Sequence, residues 1–345
     1  MFFKDLIKSL FLQQKDYMTN EVSVGIDVGG TISKIGIVDN EGNILSSTTI
    51  QTNAYQEVEA FINGLYIKIE ECISEIDRDI HLKGIGIGAP NANYYNGTVE
   101  HAPNLKWKGI LPIVELFRKY YKEIPVVLTN DANAAALGEY YFGGGKEMEN
   151  FIAITLGTGL GSGIIVNGTL LLGKNSFAGE MGHINMKLDG RKCGCGKRGC
   201  LETYVSATGL TRTVAEMLAN EDDESSLRDV PFNQLDSKLI AEKAEGGDSI
   251  ARKAITYTGE ILGRALADMV IIFNPEAIFF LGGLANAGDM LLNPARKVME
   301  DNLMEIFKNQ TEFMVSRLQL QGKNIAILGA GALVWKAIEN NSTSS

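Results

Sequence analysis

Val22, Val24 and Ile26 alternate along the chain, Ile35, Ile37 and Val38 follow the turn Asp27-Val28-Gly29-Gly30-Thr31, and Asp39-Asn40-Glu41-Gly42 turns the chain again. Period-two patterning bounded by glycine turns predicts three consecutive strands over 22–50. The period then changes. Val58, Phe61, Ile62, Leu65, Ile69, Cys72, Ile73 and Ile76 share one face of a helix expected over 55–77. Residues 84–88 read as a short buried strand ending in Ala89-Pro90, and a helix is expected near 111–122. A strand over 126–128 gives way at Asn130-Asp131 to a helix over 132–141.

The opening pattern then recurs. Residues 152–154 read as a strand, 156–163 as a glycine-rich turn, 164–166 as a strand, and Asn167-Gly168 as a hairpin turn. An offset of 128 places Gly29 on Gly157, Val38 on Val166 and Asp39 on Asn167. The repeat predicts two domains of like topology facing each other across a cleft. Residues 203–275 look mostly helical. Residues 277–281 form another apolar strand, ending in Gly282-Gly283. Residues 325–328 read as the last strand, followed by Gly329-Ala330-Gly331 and a terminal helix from Ala332. The expected domains are a small α/β domain over 19–135, completed by the helix 332–345, and a larger one over 136–331. Residues 1–18 stand apart as an extension. Phe2, Phe3, Leu6, Ile7, Leu10 and Phe11 have helical spacing there, but Lys4, Asp5 and Lys8 interrupt any signal-peptide core.

At 345 residues the chain has room for two domains and a sizeable core. With 45% hydrophobic and 21% charged residues it has the composition of an ordinary soluble protein. Its net charge of −10 argues against a nucleic-acid-binding surface. An anionic small ligand is still allowed, because backbone N–H groups can bind phosphate inside an acidic protein. No apolar run approaches the ~18 residues of a membrane span. The cysteine usage points to a reduced, cytoplasmic protein, with the lone Cys72 a core residue.

The other three cysteines, Cys193, Cys195 and Cys200, are clustered, with His183 just upstream. The ligands are separated by nine, one and four residues, and Glu180 and Glu202 bracket them. A Cys3His set fits a closed structural zinc site. The acidic and amide side chains of Asn104, Asn130, Glu180 and Glu202, with His183, suit the hydroxyls of a sugar.

The Gly29-Gly30-Thr31 turn and the 156–163 turn are each either plain hairpins or phosphate cradles, and a facing pair favours a nucleotide triphosphate. Neither is a Walker loop, because no Gly-Lys-Ser/Thr follows. Gly282-Gly283 would then support the adenosine. Asp27 is placed to hold Mg²⁺ or to cap its own turn. Asp131, where a strand meets a helix, is either a general base or an N-cap.

Together these residues resemble the ROK family of sugar kinases. The resemblance runs from about Val22 to Trp335. It rests on Asp27-Val28-Gly29-Gly30-Thr31, Asn130-Asp131-Ala132-Asn133, the 156–163 turn, Glu180-Met181-Gly182-His183 and the run from Cys193 to Glu202. It implies an α/β actin/hexokinase-like ATPase fold of two duplicated ribonuclease H-like domains, with a structural zinc site. It implies transfer of phosphate from ATP to the 6-hydroxyl of a hexose, glucose above all, with an N-acetylhexosamine kinase and a non-catalytic sugar sensor as the alternatives. Asp131 matches the catalytic base; Asn104, Asn130, Glu180, His183 and Glu202 match sugar-binding residues; His183, Cys193, Cys195 and Cys200 match zinc ligands; Gly29, Gly30, Thr31, Thr158 and Gly159 match the phosphate loops. Mg²⁺ would accompany the ATP, and a homodimer or homotetramer is expected. Asn104-Leu105-Lys106-Trp107 is one residue shorter than the family's Asn-Leu-x-x-Trp pattern.

Overall fold

In the computed structural model, residues 20–342 are described; the stretch 1–18 set apart above lies outside them. The alternating segment forms the antiparallel strands β1 (Glu21–Val28), β2 (Ile32–Asp39) and β3 (Ile44–Gln51). Helix α1 (Val58–Ser74) packs against β2 and β3, burying Phe61, Ile62, Leu65, Ile69 and Cys72. Strand β4 (His81–Gly88) joins β1 in parallel. A small antiparallel ribbon follows: β5 (Ala92–Asn93), β6 (Thr98–Glu100) and β7 (Ile110–Leu111). Helix α2 (Ile113–Arg118) is shorter than the expected 111–122, because Pro112 precedes it and the buried positions end at Phe117. Strand β8 (Val126–Thr129) lies parallel to β4, and α3 (Asp131–Phe142) follows. The sheet order is β3-β2-β1-β4-β8.

The second sheet repeats this plan. Strands β9 (Phe151–Leu156), β10 (Leu160–Val166) and β11 (Thr169–Leu170) are antiparallel neighbours. Helices α4 (Ala207–Asn220), α5 (Ser237–Glu245) and α6 (Ser249–Phe273) come next, each with a side-chain N-cap: Ser206, Asp236 and Asp248. Strand β12 (Ala277–Leu281) then pairs in parallel with β9, α7 (Asp289–Asp301) packs on α6, and β13 (Glu312–Val315) pairs in parallel with β12. A short helix α8 (Arg317–Leu320) closes this half. The order β11-β10-β9-β12-β13 reproduces the first sheet strand for strand, in parallel and antiparallel sense alike.

The run 325–328 is not a strand. Residues Ile325–Ser342 form one helix, α9, on the first sheet. A buried apolar tetrapeptide followed by Gly-Ala-Gly has the signature of a strand ending in a turn. Here the glycines serve close approach instead. A methyl group on Gly329 would stand 2.0 Å from the Ala134 carbonyl oxygen of α3. One on Gly86 of β4 would stand 1.8 Å from the Ala330 carbonyl oxygen. Pattern reading also missed the short strands β5, β6, β7 and β11, and β13, whose residues are mostly half-buried at a sheet edge.

The contacts divide the chain into two units. One comprises residues up to Lys146, Leu172–Ala178 and Gly322 onward; the other comprises Glu147–Leu171 and Gly179–Gln321. Among the described residues no helix is long and apolar enough to cross a membrane.

Candidate active site and metal centre

In the first unit, register pairs Asp27 of β1 with Gly88 of β4, and Gly88 with Thr129 of β8. These residues lie at the carboxyl ends of three parallel strands, the edge where open α/β sheets present ligand-binding groups. Asp131 starts α3 just beyond. A Cβ on Gly88 would meet Ala134 Cβ at 3.4 Å and Asp131 Cα at 3.7 Å, so glycine there lets α3 begin hard against the sheet.

The cap of α3 is Asn130, whose Oδ1 accepts the Asn133 N–H at 2.7 Å. Asp131 is left to point outward, with Oδ1 accepting the Ala132 N–H at 2.9 Å. Its side chain is reachable by solvent yet crowded by surrounding protein. Burial in that recess pushes its carboxyl above the usual carboxylate range, and the Ala132 N–H pulls only partly the other way. Asp27 is raised too, first by burial. The Lys34 ammonium, 3.5 Å from Asp27 Oδ2, opposes that shift, and the charge of Asp131 adds to it.

The Gly29-Gly30-Thr31 turn meets the loop that carries Asn104: a Cβ on Gly30 would lie 2.3 Å from the Asn104 carbonyl oxygen. That loop is anchored from beneath. Leu105 and Trp107 are buried, Trp107 Nε1 donates to the Gln56 carbonyl at 3.0 Å, and its ring packs on Phe61 at 4.9 Å. Lys108 Nζ donates to the carbonyls of Leu105 (2.7 Å), Pro103 (3.2 Å) and Ala102 (3.4 Å). The shortened Asn-Leu-Lys-Trp spacing still seats its tryptophan in the core, and Asn104 stays exposed.

In the second unit, His183, Cys193, Cys195 and Cys200 place their ligand atoms within 4.8 Å of one another. Cys193 Sγ lies 3.7 Å from His183 Nδ1, and Cys195 Sγ lies 3.7 Å from Cys200 Sγ. Tetrahedral zinc with ordinary bond lengths needs edges of about 3.8 Å between sulfurs and about 3.6 Å between sulfur and nitrogen. The cluster fits such an ion. Burial pushes the Cys193 thiol up to about 12, a cost that a bound cation removes by stabilising the thiolate. Because Nδ1 faces the thiols, Nε2 of His183 points elsewhere. Lys197 Nζ fixes the His183 carbonyl at 3.0 Å.

Glu202 connects this cluster to the glycine turn between β9 and β10. Its Oε2 accepts the Leu160 N–H at 3.0 Å, and its Oε1 lies 3.8 Å from Cys193 Sγ. The turn is gripped further by the start of α4. The Ala207 N–H donates to the Gly157 carbonyl at 2.8 Å and Thr208 Oγ1 to the Thr158 carbonyl at 2.7 Å. The Gly157 N–H closes on the Gly159 carbonyl at 3.0 Å. The exposed Thr158 hydroxyl and the N–H groups of Thr158 and Gly159 remain to meet an anion, near a helix N-terminus. Glu180 is exposed and precedes the short helix Met181–His183. Buried Ser162 positions that segment, donating to the Gly179 carbonyl and accepting the Met181 N–H at 3.2 Å.

Gly282 ends β12 at φ +91°, a conformation glycine alone adopts readily. Gln319 grips both of its backbone groups: Oε1 accepts the Gly282 N–H at 2.7 Å and Nε2 donates to its carbonyl at 3.3 Å. Gly283 has open space where a Cβ would stand.

The first unit thus gathers Asp27, Gly29, Gly30, Thr31, Asn104, Asn130 and Asp131. The second gathers Thr158, Gly159, Glu180, His183, Glu202 and the cysteines, with Gly282 and Gly283 at the end of a strand beside β9. Sequence reasoning missed Lys34, Thr208, Gln319 and Arg191. Arg191 donates to the Thr203 and Gly209 carbonyls, Thr213 and Glu216, and lies over the Tyr204 ring at 4.5 Å. Only for Lys34 was there a signal, since its pairing with Asp27 follows from the hairpin register.

The sequence profile described as the ROK family matches residues 23–337. A glucokinase of Halalkalibacterium halodurans is 34% identical over 94% of this chain and 98% of its own. A glucokinase of Streptomyces coelicolor is 40% identical over 80% of this chain and 86% of its own. Among solved structures, a ROK family glucokinase from Streptomyces griseus in complex with glucose and AMPPNP superposes with a TM-score of 0.75. It is 33% identical, covering 90% of this chain and 98% of that one.

Proposed function

The chain belongs to the ROK family, and on that footing we propose that it is an ATP-dependent hexose kinase that phosphorylates the 6-hydroxyl of glucose. One observation carries the chemistry. Asp131 stands open to solvent at a crowded sheet edge, released from capping by Asn130, with its carboxyl raised by burial. A carboxylate that has lost part of its hydration is a stronger base. The glucokinase relatives, and the glucose and AMPPNP bound in one of them, support the choice of sugar and nucleotide.

In this reading Asp131 takes the proton from the 6-hydroxyl as its oxygen attacks the γ-phosphorus and ADP departs. Asn104, Asn130, Glu180, His183 and Glu202 bind sugar hydroxyls. Gly29, Gly30 and Thr31 in the first unit, and Thr158 and Gly159 in the second, are the phosphate-loop residues, offering backbone N–H groups to phosphate. Gly282 and Gly283 leave room for the adenosine. Mg²⁺ arriving with ATP supplies positive charge to the transferring phosphoryl, and Asp27 is the carboxylate at hand to hold it through water. Zn²⁺ suits the Cys3His set, where four protein ligands leave it a structural role. Thiols kept for a metal belong to a reducing, cytoplasmic setting. The family resemblance favours a homodimer or homotetramer.

A panel of glucose, N-acetylglucosamine and N-acetylmannosamine with coupled ADP detection tests the assignment. The largest kcat/KM is expected for glucose. A preference for an N-acetylated sugar would replace the substrate, and glucose binding without ADP would replace the enzyme with a sensor.

A further inference from the structure

Glu202 has two faces. As a candidate sugar ligand it needs free lone pairs. Yet Oε2 already accepts the Leu160 N–H at 3.0 Å, the first N–H after the 157–159 turn, and Oε1 lies 3.8 Å from Cys193 Sγ in the metal-ligand cluster. The packing is close. A methyl on Gly159 would stand 2.3 Å from Oε2, so the turn and the carboxylate are shaped to each other. Glu202 is itself fixed from behind, its carbonyl accepting Ser206 Oγ at 2.7 Å one residue before Ala207 binds the Gly157 carbonyl.

We propose that Glu202 is a positioning residue for the nucleotide: through the Leu160 N–H it sets the shape of the 157–159 turn. This rests on the reading of that turn as a phosphate cradle. A carboxylate accepting a backbone N–H makes a charge-assisted bond, stronger than a neutral one. With the Leu160 N–H taken by Glu202 and the Gly157 N–H by the Gly159 carbonyl, Thr158 and Gly159 hold the turn's remaining N–H groups for a phosphate. The carboxylate's charge by itself repels phosphate, so charge and shape act in opposite directions and a suitable pair of variants separates them.

The test is AMPPNP affinity by calorimetry, with Mg²⁺ present and no sugar, so that a role confined to sugar hydroxyls is silent. Glu202→Gln removes the charge and keeps an oxygen for the Leu160 N–H; Glu202→Ala removes both. We expect Glu202→Ala to bind AMPPNP about tenfold more weakly than Glu202→Gln, the loss of one such hydrogen bond. Gly159→Ala should weaken binding in the native background and cost much less in Glu202→Ala, where the clashing oxygen is gone. Equal affinities for the two Glu202 variants, with additive effects of Gly159→Ala, would overturn the proposal. Thr158→Asp puts a negative charge on the exposed turn and serves as the control. If it abolishes AMPPNP binding while the Glu202 variants match each other, the cradle stands and only the positioning role falls. If it leaves AMPPNP binding intact, the cradle falls and takes this proposal with it.

Discussion

Asp27 and Asp131 leave the same edge of the first sheet, from β1 and from the first residue of α3, two residues beyond β8, and the charge of Asp131 makes Asp27 harder to ionise. The Lys34 ammonium, 3.5 Å from Asp27 Oδ2, offsets part of that cost. Two crowded carboxylates at the mouth of a sheet form a costly arrangement, of the kind that clusters at functional sites.

Replacing Asp131 by Asn should lower kcat by about 10²–10⁴, the usual contribution of a general base. The same change should not destabilise the fold. The raised carboxyl favours its protonated form, so its contribution to stability is full below the unfolded-state value and is lost as the pH rises through the folded one. At pH 7 the native protein therefore bears a cost that Asn lacks. Thermal unfolding at pH 7 should give an equal or higher Tm, and a clearly lower one would count against the desolvated carboxylate.

The acid limb of kcat/KM should fall above the ordinary carboxylate range, because Asp131 works only when ionised. Asp131→Asn removes the charge that makes Asp27 harder to ionise and should move the Asp27 titration to lower pH. An Asp27 carboxyl whose titration, followed by NMR, stays in place in the variant would mean that the two carboxylates do not communicate.

Purified protein should contain about one zinc per chain. Cys195→Ser, at the exposed ligand of the cluster, should lose the metal and lower the Tm steeply, because structural zinc contributes on the order of 10 kcal/mol in small metal-folded domains. Metal analysis and thermal unfolding check this together; a folded, active sample without metal would remove zinc from the account.

Gly329→Ala should destabilise the first unit by about 2 kcal/mol or more, since its methyl would meet the Ala134 carbonyl oxygen at 2.0 Å and backbone must move. Chemical denaturation measures the loss. Gly157→Ala serves as the comparison, because no atom lies within 4 Å of a Cβ there, and it should leave stability almost unchanged.

Much of the fold was legible because its signals are local. The alternation in 22–50, its echo 128 residues later and the helical spacing in 55–77 follow from which side of an element meets the core, and they became β1–β3, β9–β10 and α1. The run 325–328 failed because a short apolar segment buried on every side reads alike as strand or helix. Its glycines looked like turn punctuation, and only the packing of α9 on β1, β4 and α3 shows what they are for. In the site, the ligand set His183, Cys193, Cys195 and Cys200 was legible from residue type and spacing. Gln319, Thr208 and Arg191 were not, because polar side chains at ordinary helical or loop positions carry no mark of the distant backbone groups they hold.

The sequence by itself determined the duplicated strand plan and the Cys3His cluster, and it offered residues whose chemistry suits sugar and phosphate, since each is written in periodicity, spacing or side-chain type. It left Asp131 balanced between cap and base, and it left Glu202 as one more acceptor for hydroxyls. The tertiary structure adds an observation on each. Asn130 takes the capping bond, which turns Asp131 outward into a crowded recess, and the Leu160 N–H and Cys193 Sγ come to opposite oxygens of Glu202. Those outcomes depend on where groups far apart in the chain meet. Burial, hydrogen bonding and electrostatic repulsion act through distance in space, which no local pattern records.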